Sequence, residues 1–377
     1  MIKKGGKHVS YSLNEKIKDL KPYDPIQGEY QIRLDANESF LSVPNEILEQ
    51  FHTSVNQIAF NRYPDPYANA TITAFGRHYG VKSNLVTAGN GSDELIQVIM
   101  SAFLMKGDRV LTLSHDFSMY RFYTSIVEAE CIEVPKNEDL TINVDNVIET
   151  ANEKQVRMII FSNPCNPTSL GLCKDEVRRL IRSVNALVIL DEAYMDFWDQ
   201  SLLQEAESYD NLIILRTCSK AFGMAAVRLG FAVANQTLTN AIRAVKSPYN
   251  VNTVTQAFGA AVLNQKELTD KAIITLLYAK KELFDSMKQL AQQYGFSVFP
   301  YTLDGQGDTA FPEALPVPPD VMQTFFPNIP VATPTTFLVN VNTLEALPLL
   351  QGATDAASFM ARMDTVLQMY GEEKGAK

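Results

Sequence analysis

Lys220 stands directly behind Ser219 and eight residues ahead of Arg228, at the exit of an apolar run, LIIL, that reads as a buried strand. A lysine amine held there could attack an aldehyde and form a Schiff base, although a single lysine after a strand is more often a solvated surface residue. Three further segments carry chemistry. The run LVIL ends in Asp191-Glu192-Ala193-Tyr194, and the run MIIF ends in SNPCNPT, which sets Asn163 and Asn166 in a proline-stiffened turn. Upstream, TAGNGSDELIQVIM reads as a glycine turn opening a helix, with Ser92 or Asp93 near its N-cap. Free backbone N–H groups and the positive dipole end of such a helix suit a phosphate.

Each signal alone is commonplace: an Asp at a strand exit is usually a turn former, and NPCNPT could be only a rigid loop. Together they suit an anionic aromatic aldehyde with a basic ring nitrogen, which is pyridoxal 5′-phosphate (PLP). Lys220 would bond the aldehyde, and Asp191 would keep the ring nitrogen protonated. Tyr194 and Asn166 would hydrogen-bond the ring oxygen. Ser92, Asp93, Ser219 and Arg228 would surround the phosphate, the arginine through its planar fork. The small residues Ala221, Gly223, Ala225 and Ala226 let the chain turn back from Lys220 to Arg228.

Such residues need strands that end side by side. The runs GDRVLTL, AECIEV, VRMIIF, ALVILDEAY and NLIILRT alternate with helical patterns such as DEVRRLIRSVN over 175–185. Most are apolar throughout, which predicts a mostly parallel sheet covered on both faces, an α/β core whose ligands lie beyond the strands' carboxyl ends. The sequence becomes helical over about 255–295, then proline-rich and aromatic over 300–335. A length of 377 residues predicts about two domains. We divide the chain into an N-terminal arm with part of a small domain (1–45), a large cofactor-binding domain (46–280) and a C-terminal small α+β domain (281–377).

The net charge of −10 argues against bulk binding to nucleic acid or anionic membranes. No apolar run is long enough to span a bilayer, and the basic start MIKKGGK is not followed by a signal-peptide core. Four cysteines in no CxxC pairing predict a reducing, cytoplasmic setting and no metal site.

The motifs LDANES (34–39), NRYPDP (61–66), GNGSDE (89–94), DFSMY (116–120), NPCNPT (163–168), DEAY (191–194) and SKAFGMAAVRLGF (219–231) resemble, in order, those of histidinol-phosphate aminotransferases. These are fold-type I PLP enzymes, in a class that also holds aromatic aminotransferases and threonine-phosphate decarboxylases. The resemblance implies that Lys220, Asp191 and Tyr194 are catalytic and that Lys220 shuttles the proton at the substrate Cα. It implies that Phe117 stacks on the cofactor ring and that Tyr63 reaches the phosphate of a neighbouring subunit in a homodimer. Tyr23 and Asn37 match positions lining the substrate pocket. The implied reaction takes an amino group from a small-molecule donor, L-histidinol phosphate by preference, and passes it to a 2-oxo acid, 2-oxoglutarate.

The resemblance breaks after about residue 300. The arginines that grip substrate in the family's small domain are missing, and Arg362 is the only arginine in that region. The run PTTFLVNVN (334–342) resembles a family strand, whereas residues 305–332 look like an insertion or replacement. Three readings follow: an aminotransferase whose anion grip comes from elsewhere, a related PLP enzyme such as an amino-acid-phosphate decarboxylase, or a PLP-binding protein with little turnover.

Overall fold

The computed structural model describes residues 11–22, 36–294, 335–340, 345–351, 360–361 and 363–365. Seven strands form the central sheet: β1 (Val86–Gly89), β2 (Arg109–Leu113), β3 (Glu130–Val134), β4 (Met158–Ser162), β5 (Leu187–Asp191), β6 (Leu212–Thr217) and β7 (Gly230–Ala234). Their order is β1-β7-β6-β5-β4-β2-β3. Strands β3, β2, β4, β5 and β6 run parallel, and β7 is antiparallel to both β6 and β1. The mostly parallel sheet expected from the apolar runs is present, and β7 is its reversed member. GFAVA is buried at every position, so its sequence carries no sign of strand direction.

Alternation along the central strands sorts their side chains onto two cores. Ile159, Phe161, Val188, Leu190, Leu212 and Ile214 join one cluster with side chains of α2 (Asn69–Tyr79), α5 (Val144–Glu153), α6 (Lys174–Ser183) and α8 (Thr253–Leu263). Met158, Ile160, Ile189, Ile213 and Leu215 join the other, with side chains of α3 (Ser92–Phe103), α4 (Met119–Ile126) and α7 (Gln236–Val245). Because helices cover both faces, each central strand has to be apolar at odd and even positions alike. Each fully buried Ile, Leu or Phe contributes about 1.5–3 kcal/mol.

Chain direction reverses between β2 and β4. The chain steps outward from β2 to β3, returns across β2 to β4, and continues through β5 and β6. The loops leaving β2, β4, β5 and β6 therefore meet around one crevice, the place where open α/β sheets bind ligands. Helix α1 (Asn45–Val55) precedes the sheet, and α9 (Lys266–Tyr294) accounts for most of the helical stretch expected after 255. The strand expected in 334–342 appears as β8 (Thr335–Asn340), paired antiparallel with β9 (Glu345–Gln351). Residues 295–334, Arg362 and Tyr23 lie outside the described residues. Among the described residues no helix is long and apolar enough to cross a membrane.

Candidate active site

Lys220 leaves β6 into a tight return. Met224 N–H donates back to the Cys218 carbonyl, and Gly223 takes a left-handed backbone (φ +63). The return ends at Arg228, itself left-handed (φ 55, ψ 57). A non-glycine residue there costs about 1–2 kcal/mol, and such strain is characteristic of residues aimed at a ligand. The Arg228 fork is directed back into the turn, 3.1 Å from the Ala225 carbonyl, 3.5 Å from Ser219 Oγ and 4.0 Å from Asp93 Oδ2.

Opposite Arg228 lies the start of α3. Gly91 (φ +88) occupies the N-cap position just before Ser92, and no side chain caps the helix. The first N–H groups of α3 have no partner within the helix, and the Arg228 guanidinium lies beside Gly91. Two glycines hold this cradle open. A Cβ on Gly91 would fall 2.8 Å from Arg228 Nη2, and one on Gly230 would run into the Ser92 backbone nitrogen. Ser92, Asp93, Ser219 and Arg228 are thus brought together as the phosphate reading requires.

Asp191, only 4% exposed, closes β5. Its Oδ1 accepts the Ala193 N–H at 3.1 Å and its Oδ2 accepts the Tyr120 hydroxyl at 2.9 Å. Burial raises its pKa to about 7, with Asp116 and Asp93 adding to the rise and the two hydrogen bonds opposing it. Among the described residues no ion pair reaches this carboxylate, Lys220 acting on it only from a distance, and a protonated ring nitrogen would supply a direct cationic partner. Tyr194 follows on the same exit and accepts a hydrogen bond from Asn37 Nδ2 at 2.9 Å; burial pushes its hydroxyl up to about 12.

Lys220 Nζ donates to the Ala36 carbonyl at 2.8 Å and lies 5.7 Å from the centre of the Tyr194 ring. Burial lowers its pKa and nearby Arg228 adds to the fall, while Glu38, Asp93 and Asp191 oppose it. The amine therefore gives up its proton more readily than an ordinary lysine. Around it, Asn37 Oδ1 and Asp93 Oδ1 are buried acceptors with no hydrogen-bond donor among the described residues. The residues present fit PLP: an amine for the aldehyde, a buried carboxylate for the ring nitrogen, a phenol for the ring oxygen, and a helix start with an arginine for the phosphate.

Phe117 lies beside this space, its ring edge-on to Tyr120 with centroids 5.5 Å apart. Asn166 is tied down through its backbone, whose N–H donates to Ser162 Oγ at 3.0 Å. Tyr63 is not brought into the same chain's site. It is 81% exposed and stacked on Tyr249 at 4.6 Å.

Three residues at the site were given no role from the sequence. Tyr120 reaches Asp191, and Asp116 accepts from Ser162 Oγ, Ser162 N–H and Phe117 N–H, so one buried carboxylate holds the turns that carry Asn166 and Phe117. Arg216, 4% exposed and one residue before the end of β6, donates to Glu192 at 3.0 Å and Asp196 at 2.8 Å. Burial alone would lower its pKa, but the two carboxylates more than offset that and raise it.

Known proteins divide the chain unevenly. The profile described as aminotransferase class I and II matches residues 29–302. A histidinol-phosphate aminotransferase of Clostridium novyi (strain NT) is 43% identical over 274 residues, 73% of this chain and 77% of the relative. The crystal structure of histidinol-phosphate aminotransferase from Sinorhizobium meliloti in complex with pyridoxal-5′-phosphate is similar in fold. It aligns with TM-score 0.64 and 20% identity over 70% of this chain and 72% of that one. A different likeness covers 91 residues, 24% of this chain. These are 93% identical to Protein TrbB of Escherichia coli (strain K12), of which they span 50%.

Proposed function

We propose that this chain, which belongs to the aminotransferase class I and II family, moves an amino group from L-histidinol phosphate to 2-oxoglutarate. The enzyme is a PLP-dependent aminotransferase, and PLP supplies the electron sink that stabilises negative charge at the substrate Cα. What carries the reading is the meeting of Lys220, Asp191, Tyr194 and the α3–Arg228 cradle at the carboxyl ends of β5 and β6 and the start of α3. The choice of donor rests on the 43% identity to the Clostridium novyi histidinol-phosphate aminotransferase.

Each residue has one task in this reading. The start of α3, Ser219 and Arg228 hold the phosphate, and Asp191 keeps the ring nitrogen cationic. Tyr194 and Asn166 hold the ring oxygen, and Phe117 covers a ring face. Lys220, once displaced by the incoming amine, takes the proton from the substrate Cα, a step served by its lowered pKa. Asn37, hydrogen-bonded to Tyr194, and Tyr23 are the residues read as substrate-binding. The exposed Phe60, Tyr63, Tyr67 and Tyr249 suit burial against a second copy, with Tyr63 completing that copy's phosphate site.

The C-terminal part stands apart. The family profile stops at residue 302, and the motifs that define the site run from 34 to 231. We read the TrbB-like 91 residues as falling in the C-terminal quarter, where the family's substrate arginines are also missing. In this reading the chain joins an aminotransferase large domain to a segment of different origin, and the substrate phosphate or carboxylate is gripped from the large domain or the dimer partner.

The test has two stages. Borohydride treatment of the PLP-loaded protein fixes a pyridoxyl adduct on Lys220; no adduct there refutes the cofactor assignment. Histidinol phosphate, phenylalanine, aspartate and phosphothreonine are then each mixed with the loaded protein. Bleaching of the visible band by histidinol phosphate, reversed by 2-oxoglutarate, supports the donor. Bleaching only by another amine replaces it, and carbon dioxide release marks a decarboxylase.

A further inference from the structure

The Asp191 carboxylate is anchored at both oxygens, and one of the two donors is a side chain. Tyr120, 1% exposed, is the second residue of α4 and donates to Asp191 Oδ2 at 2.9 Å. The Ala193 N–H serves Oδ1 from the following turn at 3.1 Å. One donor on each oxygen fixes the plane of the carboxylate, and each oxygen keeps acceptor capacity for a further donor. Tyr120 is itself held in place. Its N–H donates to the Phe117 carbonyl at 3.1 Å, its carbonyl accepts from Thr124 Oγ1 at 2.7 Å, and its ring meets Phe117 edge-on. The rest of the charged surroundings works against an ionised Asp191. Asp116 from the loop after β2 and Asp93 from α3 both raise its pKa, and Lys220 is the cation facing it.

We infer that Tyr120 is a positioning residue for the cofactor's ring nitrogen, acting through Asp191: its hydroxyl orients the carboxylate and keeps it ionised to receive the pyridinium N–H. The inference rests on the cofactor reading above and adds to it a residue that need not touch the cofactor. A phenol in this place does what burial and two neighbouring carboxylates would otherwise undo.

The test compares equilibrium binding of PLP with that of 1-deazapyridoxal phosphate, which has C–H in place of the ring nitrogen but the same aldehyde, ring oxygen and phosphate. Tyr120→Phe keeps the ring and its volume. Hydrogen bonds to charged groups are strong enough that Y120F should weaken PLP about tenfold or more. The deaza analogue, which offers Asp191 no ring N–H, should change by less than about threefold. Retained analogue binding also shows that the variant pocket is folded. Equal weakening of both ligands, loss of both, or no change in either overturns the inference, because Tyr120 then acts structurally or not at all. Failure of the unsubstituted protein to bind PLP would instead refute the cofactor reading.

Discussion

Asp191→Asn should change how the PLP-free protein responds to pH, and the sign can be worked out in advance. Burial raises the Asp191 carboxyl from its ordinary value of 3.8 to about 7. Between those pH values the unfolded chain has released this proton and the folded chain retains it. The folded state then binds more protons, so stability falls as pH rises through the window. The gap between 3.8 and about 7 sets a ceiling of roughly 4 kcal/mol on the loss. Asn keeps the shape: its Oδ1 can still accept from the Ala193 N–H, while its Nδ2 can only donate, so that the Tyr120 hydroxyl must turn to accept. It cannot ionise, so D191N should lack this component.

The neighbours prevent a reading from the unsubstituted protein alone. Asp93, Asp116 and Glu192 are also raised by burial and slope the same way, whereas His78 and His115 are lowered by burial and slope the opposite way. The difference between D191N and the unsubstituted protein isolates Asp191. Urea unfolding of the PLP-free proteins across pH about 4 to about 8 should show the variant gaining relative stability with rising pH, by a few kcal/mol at most. Saturating PLP should abolish that gain, since a ring-nitrogen cation against Asp191 favours its ionised form. Parallel pH profiles for the two PLP-free proteins would refute the reasoning, because Asp191 would then be titrating as though solvated.

Three other outcomes follow from the geometry. Lys220→Ala should remove the borohydride-fixed adduct and slow transfer of the amino group by at least about 10²-fold, read in single-turnover absorbance. Arg216→Met leaves Glu192 and Asp196 buried without their cation and should destabilise the protein by about 3–5 kcal/mol, read as a lower urea midpoint. Arg228→Ala keeps a Cβ in the left-handed backbone and loses the fork. PLP affinity should fall about tenfold or more, and inorganic phosphate should compete less well for the site.

How much of this was legible in sequence depends on where each residue's signal lies. Lys220, Asp191 and Asn166 could be read because each follows an apolar run, and a polar residue at the end of a buried strand has few structural duties. Their meeting could be read too, since parallel strands deliver their carboxyl ends to one edge. Tyr120 could not, because MYRFYTSI has the composition of any amphipathic helix, and the hydroxyl's partner lies 71 residues away. Asp116 reads as a turn former, and that is half its role; the other half, holding Ser162 46 residues on, depends on β2 and β4 being neighbours. Arg216 looks like a misplaced charge in LIILRT until Glu192 on the next strand exit and Asp196 beyond it are brought against it.

The C-terminal departure was legible for a different reason. The proline-rich, aromatic composition of residues 300–335 sets them apart but does not by itself make them foreign to a small domain. What marked them was a missing function: a family that handles anionic substrates places arginines there, and this chain offers Arg362 alone. The family profile match also ends there, at residue 302. The two halves of an aminotransferase site make separate demands on the chain. The cofactor half is built from strand ends and one helix start within residues 36–263, all in one sheet and its covering helices. The substrate half depends on what is appended to it. On the function proposed above, cofactor affinity would rest on the strand ends and helix start of the large domain and turnover on the C-terminal part as well, so the two would be separable quantities in this protein.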